Sequence, residues 1–168
     1  MTLDAFRDLP DDSRLWLLAT AEPLDAARRA ALAADMDAIL AAWRHKGVAY
    51  HGAWTLLEDR ILAISEPTMT TAPSGCAIDG MLRKVHGLVA HLGLTLLDES
   101  QVLFRQDGGF LAVSRNDLGA RLEDGTLHAD TPLVDLTLFT LGDLRAGRLE
   151  KPLARTWIGR KYKVAASV

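Results

Sequence analysis

The sequence predicts an α+β fold, a ferredoxin-like βαββαβ sandwich followed by a C-terminal extension of one strand and short helices. Three observations predict it: two amphipathic stretches with helical spacing, short apolar runs of strand length around them, and a tight connection between two of those runs. The elements follow the order of two split βαβ units. Right-handed crossovers would place both helices on one face of an antiparallel sheet.

The first strand and the first helix have clear local signals. Leu15 to Ala19 is a short apolar run after an acidic turn, which is typical of a buried strand. Asp25 then occupies an N-cap position, and Gly47 marks the C-terminal stop of the helix. Between them the apolar residues recur at helical spacing. They are Leu32, Met36, Ile39, Leu40 and Trp43.

Two extended runs, Val48 to Leu57 and Arg60 to Ser65, predict an antiparallel hairpin that turns at Glu58-Asp59. A loop from Pro67 to Pro73 leads to the second helix. Ser74 is the predicted N-cap of that helix because its hydroxyl oxygen can accept a hydrogen bond from a free backbone amide of the first turn. The buried stripe behind it consists of Ile78, Leu82, Val85, Val89 and Leu92.

The last core strand lies within Leu94 to Phe104 and is broken near Asp98. In the extension, Phe110 to Ser114 predicts a further strand. Asn116 to Leu122 and Leu141 to Leu149 predict short helices. The chain from Pro152 onward is expected to be irregular.

Length and composition indicate a single domain over residues 1–168, with a core at about 13–105 and an extension at about 106–168. The net charge of −3 argues against a general electrostatic attraction to nucleic acid, so nucleic acid is not the expected partner. The N-terminus lacks the features of a signal peptide, and no apolar run reaches the length of a membrane helix. We therefore expect a cytoplasmic protein without membrane contact.

Metal and cofactor sites find no support in the sequence. The single cysteine, Cys76, excludes an internal disulfide and a cysteine-rich metal site. His86 and His91 lie five residues apart, about 140° around a helix, and cannot share a metal. The nearest approach to a phosphate-binding loop, Gly47 to Gly52, lacks the following Lys and Ser/Thr. We expect no metal and no cofactor.

Cys76 is the centre of the candidate site, because it falls in the first turn of the second helix, away from the buried stripe. The free amides and partial positive charge of a helix start stabilise a thiolate. Asp79 shares that side of the helix, and a turn centred on Glu58-Asp59 would place His51 opposite Glu66, near the loop toward Cys76. Cys76, His51 as base, and Asp79 are therefore the candidate catalytic residues.

The same helix start can hold an anionic group of a small molecule near Ser74. The candidate ligand-binding residues are Ser74, Gly75, Cys76, Arg83 and Trp54. Gly75 permits close approach of the backbone. Trp54 alternates along one strand face, which is either covered by the helices or left open, and an open face could bind a ligand or meet a second subunit. Ordinary roles remain alternatives: an inert cysteine, a surface ion pair between Asp79 and Arg83, and an ordinary strand histidine at His51.

The C-terminal segment combines basic and aromatic residues without an acidic one. Its cations are Lys151, Arg155, Arg160, Lys161 and Lys163, with Trp157 and Tyr162 among them. Such a segment can bind phosphates and stack bases. Alternatively, it fastens the end of the chain to an acidic surface of the same protein or of a partner.

The segment Ser74–Asp79, Ser-Gly-Cys-Ala-Ile-Asp, follows a strand with His51 and Trp54 and precedes an amphipathic helix. In this it resembles a small bacterial family that commonly carries Ser-Gly-Cys-Ser-Ile-Asp and is often labelled "ABC transporter ATPase". Ala77 stands in place of the second serine. The phosphate-binding loop and the ABC signature are missing here, so the resemblance implies a family without a settled activity.

Three functions follow from these observations. A small-ligand-binding or protein-interaction module is preferred, because no recognised catalytic motif is present. The alternatives are a cysteine-dependent enzyme or thiol sensor centred on Cys76, and nucleic-acid binding through the basic C-terminal segment. Whether the protein is an enzyme stays open at this point. Short apolar strands and an open sheet face would suit a homodimer.

Overall fold

The computed structural model describes residues 3–45, 47–67 and 75–165, with the backbone alone described at position 45. In chain order the strands and α-helices are β1 (Arg14–Ala19), α1 (Ala26–Ala41), β2 (Arg44–His45), β3 (Val48–Ala49), β4 (Ala53–Leu57), β5 (Ile61–Glu66), α2 (Gly75–His91), β6 (Gln101–Gln106), β7 (Gly109–Ser114), α3 (Leu118–Glu123), β8 (Pro132–Val134), α4 (Leu141–Arg145), β9 (Glu150–Pro152) and α5 (Trp157–Tyr162). Short 3-10 helices at Asp4–Phe6 and Leu153–Arg155 complete them. In the described part of the chain, no helix is long and apolar enough to cross a bilayer.

The chain divides into two compact units. The first comprises Met1–Leu96 and Thr137–Ala146, and the second comprises Leu97–Leu136 and Gly147–Val168. Each unit combines an antiparallel sheet with helices, which confirms the predicted α+β class. The expectation of a single domain with a core and an extension stays a prediction.

The sheet of the first unit has three antiparallel strands in the order β1-β5-β4. Helices α1 and α2 contact each other, and their buried side chains form one cluster with residues from a single face of this sheet. A ferredoxin-like sandwich would carry a fourth strand beside β1. Instead, the chain after α2 contributes an isolated bridge between Leu96 and Thr20, and β6 pairs in the second unit. The strand order therefore differs from the predicted one, and the ferredoxin-like topology is not confirmed.

The physical reason for the missing strand is a turn after this bridge. The carboxylate of Asp98 accepts hydrogen bonds from the backbone amide of Ser100 at 2.8 Å and from its hydroxyl at 2.5 Å. An Asp that bonds the backbone two residues ahead replaces strand pairing by a turn. The sequence predicts a break near Asp98, but it does not predict that the strand after the break pairs in a different sheet.

Both faces of the three-stranded sheet are buried. Trp16 and Leu18 of β1 pack in the cluster with the helices, whereas Leu15, Leu17 and Ala19 alternate onto the other face. These three residues are at most 7% exposed within the single chain. The expected open sheet face is therefore wrong. The homodimer, which partly depended on that face, stays a prediction.

The hairpin between β4 and β5 turns where the sequence predicts, but its register is shifted by one residue. The amide of Arg60 donates to the carbonyl of Leu57 at 3.1 Å, across Glu58 and Asp59, which both have positive φ (48° and 57°). Strand pairing nevertheless begins with Leu57 opposite Ile61. Arg60 is therefore an extra residue, as in a β-bulge.

Contacts of Arg60 with the end of β1 explain the bulge. Its side chain is buried, and it donates to the carbonyl of Thr20 at 2.8 Å and to the carbonyl of Ala21. Burial lowers the pKa of this guanidinium, with the charge of Glu22 acting in the opposite direction. Because a shift of one residue changes every partner along the strand, His51 does not come opposite the last residue of β5.

The two long helices are confirmed, with differences at their ends. Asp25 caps α1 as predicted, its carboxylate accepting from the amide of Arg28 at 2.8 Å. Helix α1 ends before Gly47, which instead has a φ of 83° in the connection between β2 and β3. The predicted strand from Val48 to Leu57 is likewise divided into β3 and β4. The predicted cap of α2, Ser74, lies outside the described residues.

The second unit is built on a four-stranded antiparallel sheet with the order β7-β6-β8-β9. Strand β7 and helix α3 confirm two predicted elements of the extension, and α4, in the first unit, covers the beginning of a third. The segment from Pro152 onward is not irregular, because it forms a 3-10 helix and α5. The buried side chains include Val102, Phe104, Leu118, Leu133, Leu153 and Ile158.

Candidate functional site

Cys76 is exposed in the first turn of α2 and lines a pocket of about 160 Å³ in the first unit, called the Cys76 pocket below. The pocket lies between the end of α1 and the first three turns of α2. Trp43 and Met81 are its buried aromatic and aliphatic side chains. Arg44 and Lys84 are its charged ones. The remaining lining residues are Ile39, Ala42, Ala77 and Gly80.

The spacing of residues along α2 places Cys76 and Lys84 on one face of the helix. Cys76, Gly80 and Lys84 follow one another at intervals of four, so they lie in one row. Outside the helix's own backbone, no heavy atom of the described residues would lie within 4 Å of a Cβ atom added at Gly80. The pocket is therefore open between the thiol and the ammonium group because position 80 carries no side chain.

Trp43 forms the boundary of the pocket with the core. It is 4% exposed, and its indole nitrogen donates to the carbonyl oxygen of Ala77 at 3.0 Å. The ring packs edge-on against Trp16 at 5.7 Å between centroids and against Tyr50 at 4.8 Å. These contacts hold the end of α1 against the first turn of α2, so the pocket has a wall of fixed shape.

The charged side chains in the described lining of the Cys76 pocket are both cations. Among residues 3–45, 47–67 and 75–165, neither Arg44 nor Lys84 forms an ion pair, and the described lining of the pocket contains no carboxylate. Two unpaired cations beside a neutral surface produce a positive local potential. The arrangement can hold a small anion next to the thiol of Cys76.

His51 and Trp54 line a different pocket of the first unit, about 460 Å³ in volume. It is bordered by Asp37 and Tyr50, and the indole of Trp54 donates to Asp37 Oδ1 at 2.7 Å. Trp54 lies on the sheet face that is covered by the helices, where it packs partly buried against the core cluster. The structure therefore does not bring His51 and Cys76 into one pocket.

The other candidates take exposed positions on α2. Gly75 is the first residue of the helix, and Asp79 and Arg83 point away from its buried stripe. Neither Asp79 nor Arg83 lines the two pockets described above. Ser74 lies outside the described residues. Of the candidates that the structure describes, Cys76 thus lines one pocket, and His51 and Trp54 line the other.

Two charged residues of the pocket were missed by sequence reasoning. Lys84 carried a usable signal, since it lies two intervals of four residues after Cys76. Arg44 carried no such signal. The sequence predicts that the first helix continues to Gly47, which would place Arg44 inside that helix.

The basic C-terminal segment is partly attached to its own unit. Lys151 forms an ion pair with Asp135 at 2.6 Å, and Ile158 of α5 is fully buried. Trp157 remains 37% exposed, with the guanidinium of Arg115 at 5.3 Å from its ring centroid. The contacts of Lys151 correspond to the alternative in which the segment is fastened to the same protein.

A buried carboxyl group lies at the end of β5. Glu66 is 3% exposed and stands opposite Arg14 in the sheet register. Burial raises the pKa of Glu66 to about 7, while the charge of Arg14 acts in the opposite direction. The Arg14 guanidinium lies over the rings of Trp16 and Phe139, at 5.4 Å and 4.9 Å from their centroids. Burial therefore brings the titration of this carboxyl group close to neutral pH.

Among the described residues, no group of three or more His, Cys, Asp or Glu side chains could hold a metal ion. Comparison of the chain with protein-family models, with curated proteins and with solved structures gives no match in any of the three. The resemblance to the bacterial family with the Ser-Gly-Cys-Ser-Ile-Asp segment stays a prediction.

Proposed function

We propose that the protein is a small-ligand-binding module and that its ligand is a small anion held in the Cys76 pocket. The observation that carries this proposal is the presence of Arg44 and Lys84 around a pocket whose described lining has no carboxylate. An anion placed there would accept charge-assisted hydrogen bonds from these two exposed side chains, which contribute about 1 kcal/mol each.

The size of the pocket limits the group that enters it. A volume of about 160 Å³ is similar to that of an engineered protein cavity that binds benzene. A carboxylate or a phosphate with a few attached atoms matches both this volume and the positive potential. A nucleotide or a peptide segment would be too large for the pocket itself.

Binding is favoured over cysteine catalysis by the neighbours of the thiol. In cysteine catalysis a neighbouring base commonly takes the thiol proton and a protonated group later delivers one to the leaving group. The described lining of the Cys76 pocket contains no histidine and no carboxylate, and His51 lines the other pocket. The cations of the pocket suit an anionic ligand directly.

The proposal is tested by titrating the protein with inorganic phosphate and with acetate at constant ionic strength, followed by backbone NMR shifts. We expect saturable shifts at Cys76, Ala77 and Gly80. Arg44→Gln and Lys84→Gln should each weaken binding about threefold to tenfold, the effect of losing one partly exposed charge contact. Arg83→Gln, an exposed cation on the same helix outside the pocket, is the matched control. Absence of saturable shifts, or an equal loss in Arg83→Gln, would overturn the proposal.

A further inference from the structure

We infer that the natural ligand is an anionic amphiphile, with its charged head in the Cys76 pocket and an alkyl tail in a groove between α1 and α2. The inference rests on the proposed function of the pocket. It adds the chemical class of the ligand, which the pocket alone does not specify.

The groove continues directly from the pocket. A cleft of about 470 Å³ lies between α1 and α2, and it shares Ile39, Ala42 and Lys84 with the Cys76 pocket. Lys84 therefore stands where the two spaces meet. A molecule whose charge is held at Lys84 can extend in one direction toward the thiol and in the other along the groove.

The chemistry of the groove changes with distance from Lys84. Beyond this cation the lining consists of Ala38, Ile39, Gly87 and Leu88, which offer aliphatic surface or no side chain. Polar side chains return at the far end, where Asp35 and His91 line the groove. The groove thus has a cation at one end, an apolar middle and polar side chains at the other end. This sequence matches a single anionic amphiphile of limited length.

The helix geometry sets that length. Lys84 and His91 are seven residues apart on α2, which corresponds to roughly 10 Å along the helix axis. This distance accommodates a medium-length alkyl chain. A longer chain would pass the polar end and gain little from further contact, because its additional methylenes would remain in water.

The described residues leave the groove unfilled. Outside the helix's own backbone, none of their heavy atoms would lie within 4 Å of a Cβ atom at Gly87, so they leave open space above the middle of the helix. Gly in a helix interior costs about 1 kcal/mol relative to Ala. A larger side chain at this position can enter the groove without displacing its neighbours, which makes Gly87 the best position for a blocking variant.

The test uses acetate, hexanoate, octanoate and decanoate as probes, titrated by calorimetry or NMR below their micelle concentrations. We expect the affinity to increase by about twofold to fourfold for each added methylene that is buried, and to level off once the chain reaches Asp35 and His91. Gly87→Leu should reduce octanoate binding at least tenfold and leave acetate binding unchanged. Ala38→Leu, on the opposite wall, is a second blocking variant.

Ala90→Leu, an exposed position of α2 outside the groove lining, is the matched control and should affect neither probe. Acetate binding without any gain from chain length would overturn the inference and leave the proposed function intact. Absence of binding by every probe would overturn both. If the groove were instead an interface between two copies of the chain, sedimentation would show a dimer that Gly87→Leu dissociates, and octanoate would bind no tighter than acetate. That result would also overturn the inference.

Discussion

The indole nitrogen of Trp43 donates a hydrogen bond of 3.0 Å to the carbonyl oxygen of Ala77, and so joins the end of α1 to the first turn of α2. Both residues line the Cys76 pocket. This bond places Arg44, which follows Trp43 in the chain, beside the helix turn that carries Cys76. The shape of the pocket therefore depends on a contact between residues that lie 34 positions apart.

Trp43→Phe should destabilise the protein by roughly 2 kcal/mol, because it removes this hydrogen bond and part of a buried aromatic surface. The free energy of unfolding from urea denaturation measures the effect. Trp157→Phe is the matched control and should change it by no more than about 0.5 kcal/mol, since Trp157 is 37% exposed. Equal effects of the two substitutions would contradict the role given to Trp43.

Glu66→Gln should change the dependence of stability on pH. Burial raises the pKa of Glu66 from 4.5 to about 7 in the folded protein. Well below pH 4.5 the carboxyl group is neutral in both the folded and the unfolded protein, so it does not lower the free energy of unfolding. Between pH 4.5 and 7 the carboxyl group ionises in the unfolded state while it stays neutral in the folded one, so the folded protein loses stability over this range, by about 3 kcal/mol at most.

The difference in unfolding free energy between wild type and Glu66→Gln, measured from pH 4 to pH 8, should therefore grow in favour of the variant. Glu99→Gln, at an exposed position, controls for the general effect of removing a carboxylate. A difference that stays constant over this range would show that Glu66 titrates normally.

Two glycine-to-alanine substitutions should have opposite effects. A Cβ at Gly159 would lie 2.7 Å from the carbonyl carbon of Ala154 and in contact with its oxygen, and both are backbone atoms that cannot move aside easily. Gly159→Ala should destabilise by about 2 kcal/mol or more. Gly87→Ala should stabilise by up to about 1 kcal/mol, because its Cβ meets open space and alanine favours the helix. Thermal unfolding of both variants checks the sign. Stabilisation by Gly159→Ala would contradict the close backbone contact at Gly159, and destabilisation by Gly87→Ala would contradict the open space at Gly87.

Local signals predicted the elements of this fold well. Asp25 caps α1 because the bond from its carboxylate to the amide of Arg28 involves neighbours in the sequence. The helical spacing of the apolar residues likewise predicted the buried side of α1. On α2 it identified Val85 and Val89 but missed Met81 and Leu88. What the sequence did not reveal was the pairing of distant segments. Arg60 is displaced from the hairpin by bonds to Thr20, which lies 40 residues earlier.

The candidate site was predicted in part for the same reason. Cys76 and Lys84 share a helix, so their common face follows from spacing alone. Arg44 joins them through the contact of Trp43 with α2, which no local pattern encodes. His51 was assigned to the site through a hairpin register that the bulge at Arg60 changes by one residue. Errors in long-range pairing thus moved one residue into the predicted site and left another out.

A cationic pocket at Cys76 should alter the rates at which charged and neutral reagents alkylate this single cysteine. Iodoacetate is an anion and iodoacetamide is neutral, so the ratio of their rate constants reports the potential at the thiol and cancels its intrinsic reactivity. We predict that Arg44→Gln and Lys84→Gln each lower this ratio severalfold, that the double variant lowers it further, and that Arg83→Gln leaves it nearly unchanged. A ratio that stays the same in the double variant, or falls equally in Arg83→Gln, would contradict the account.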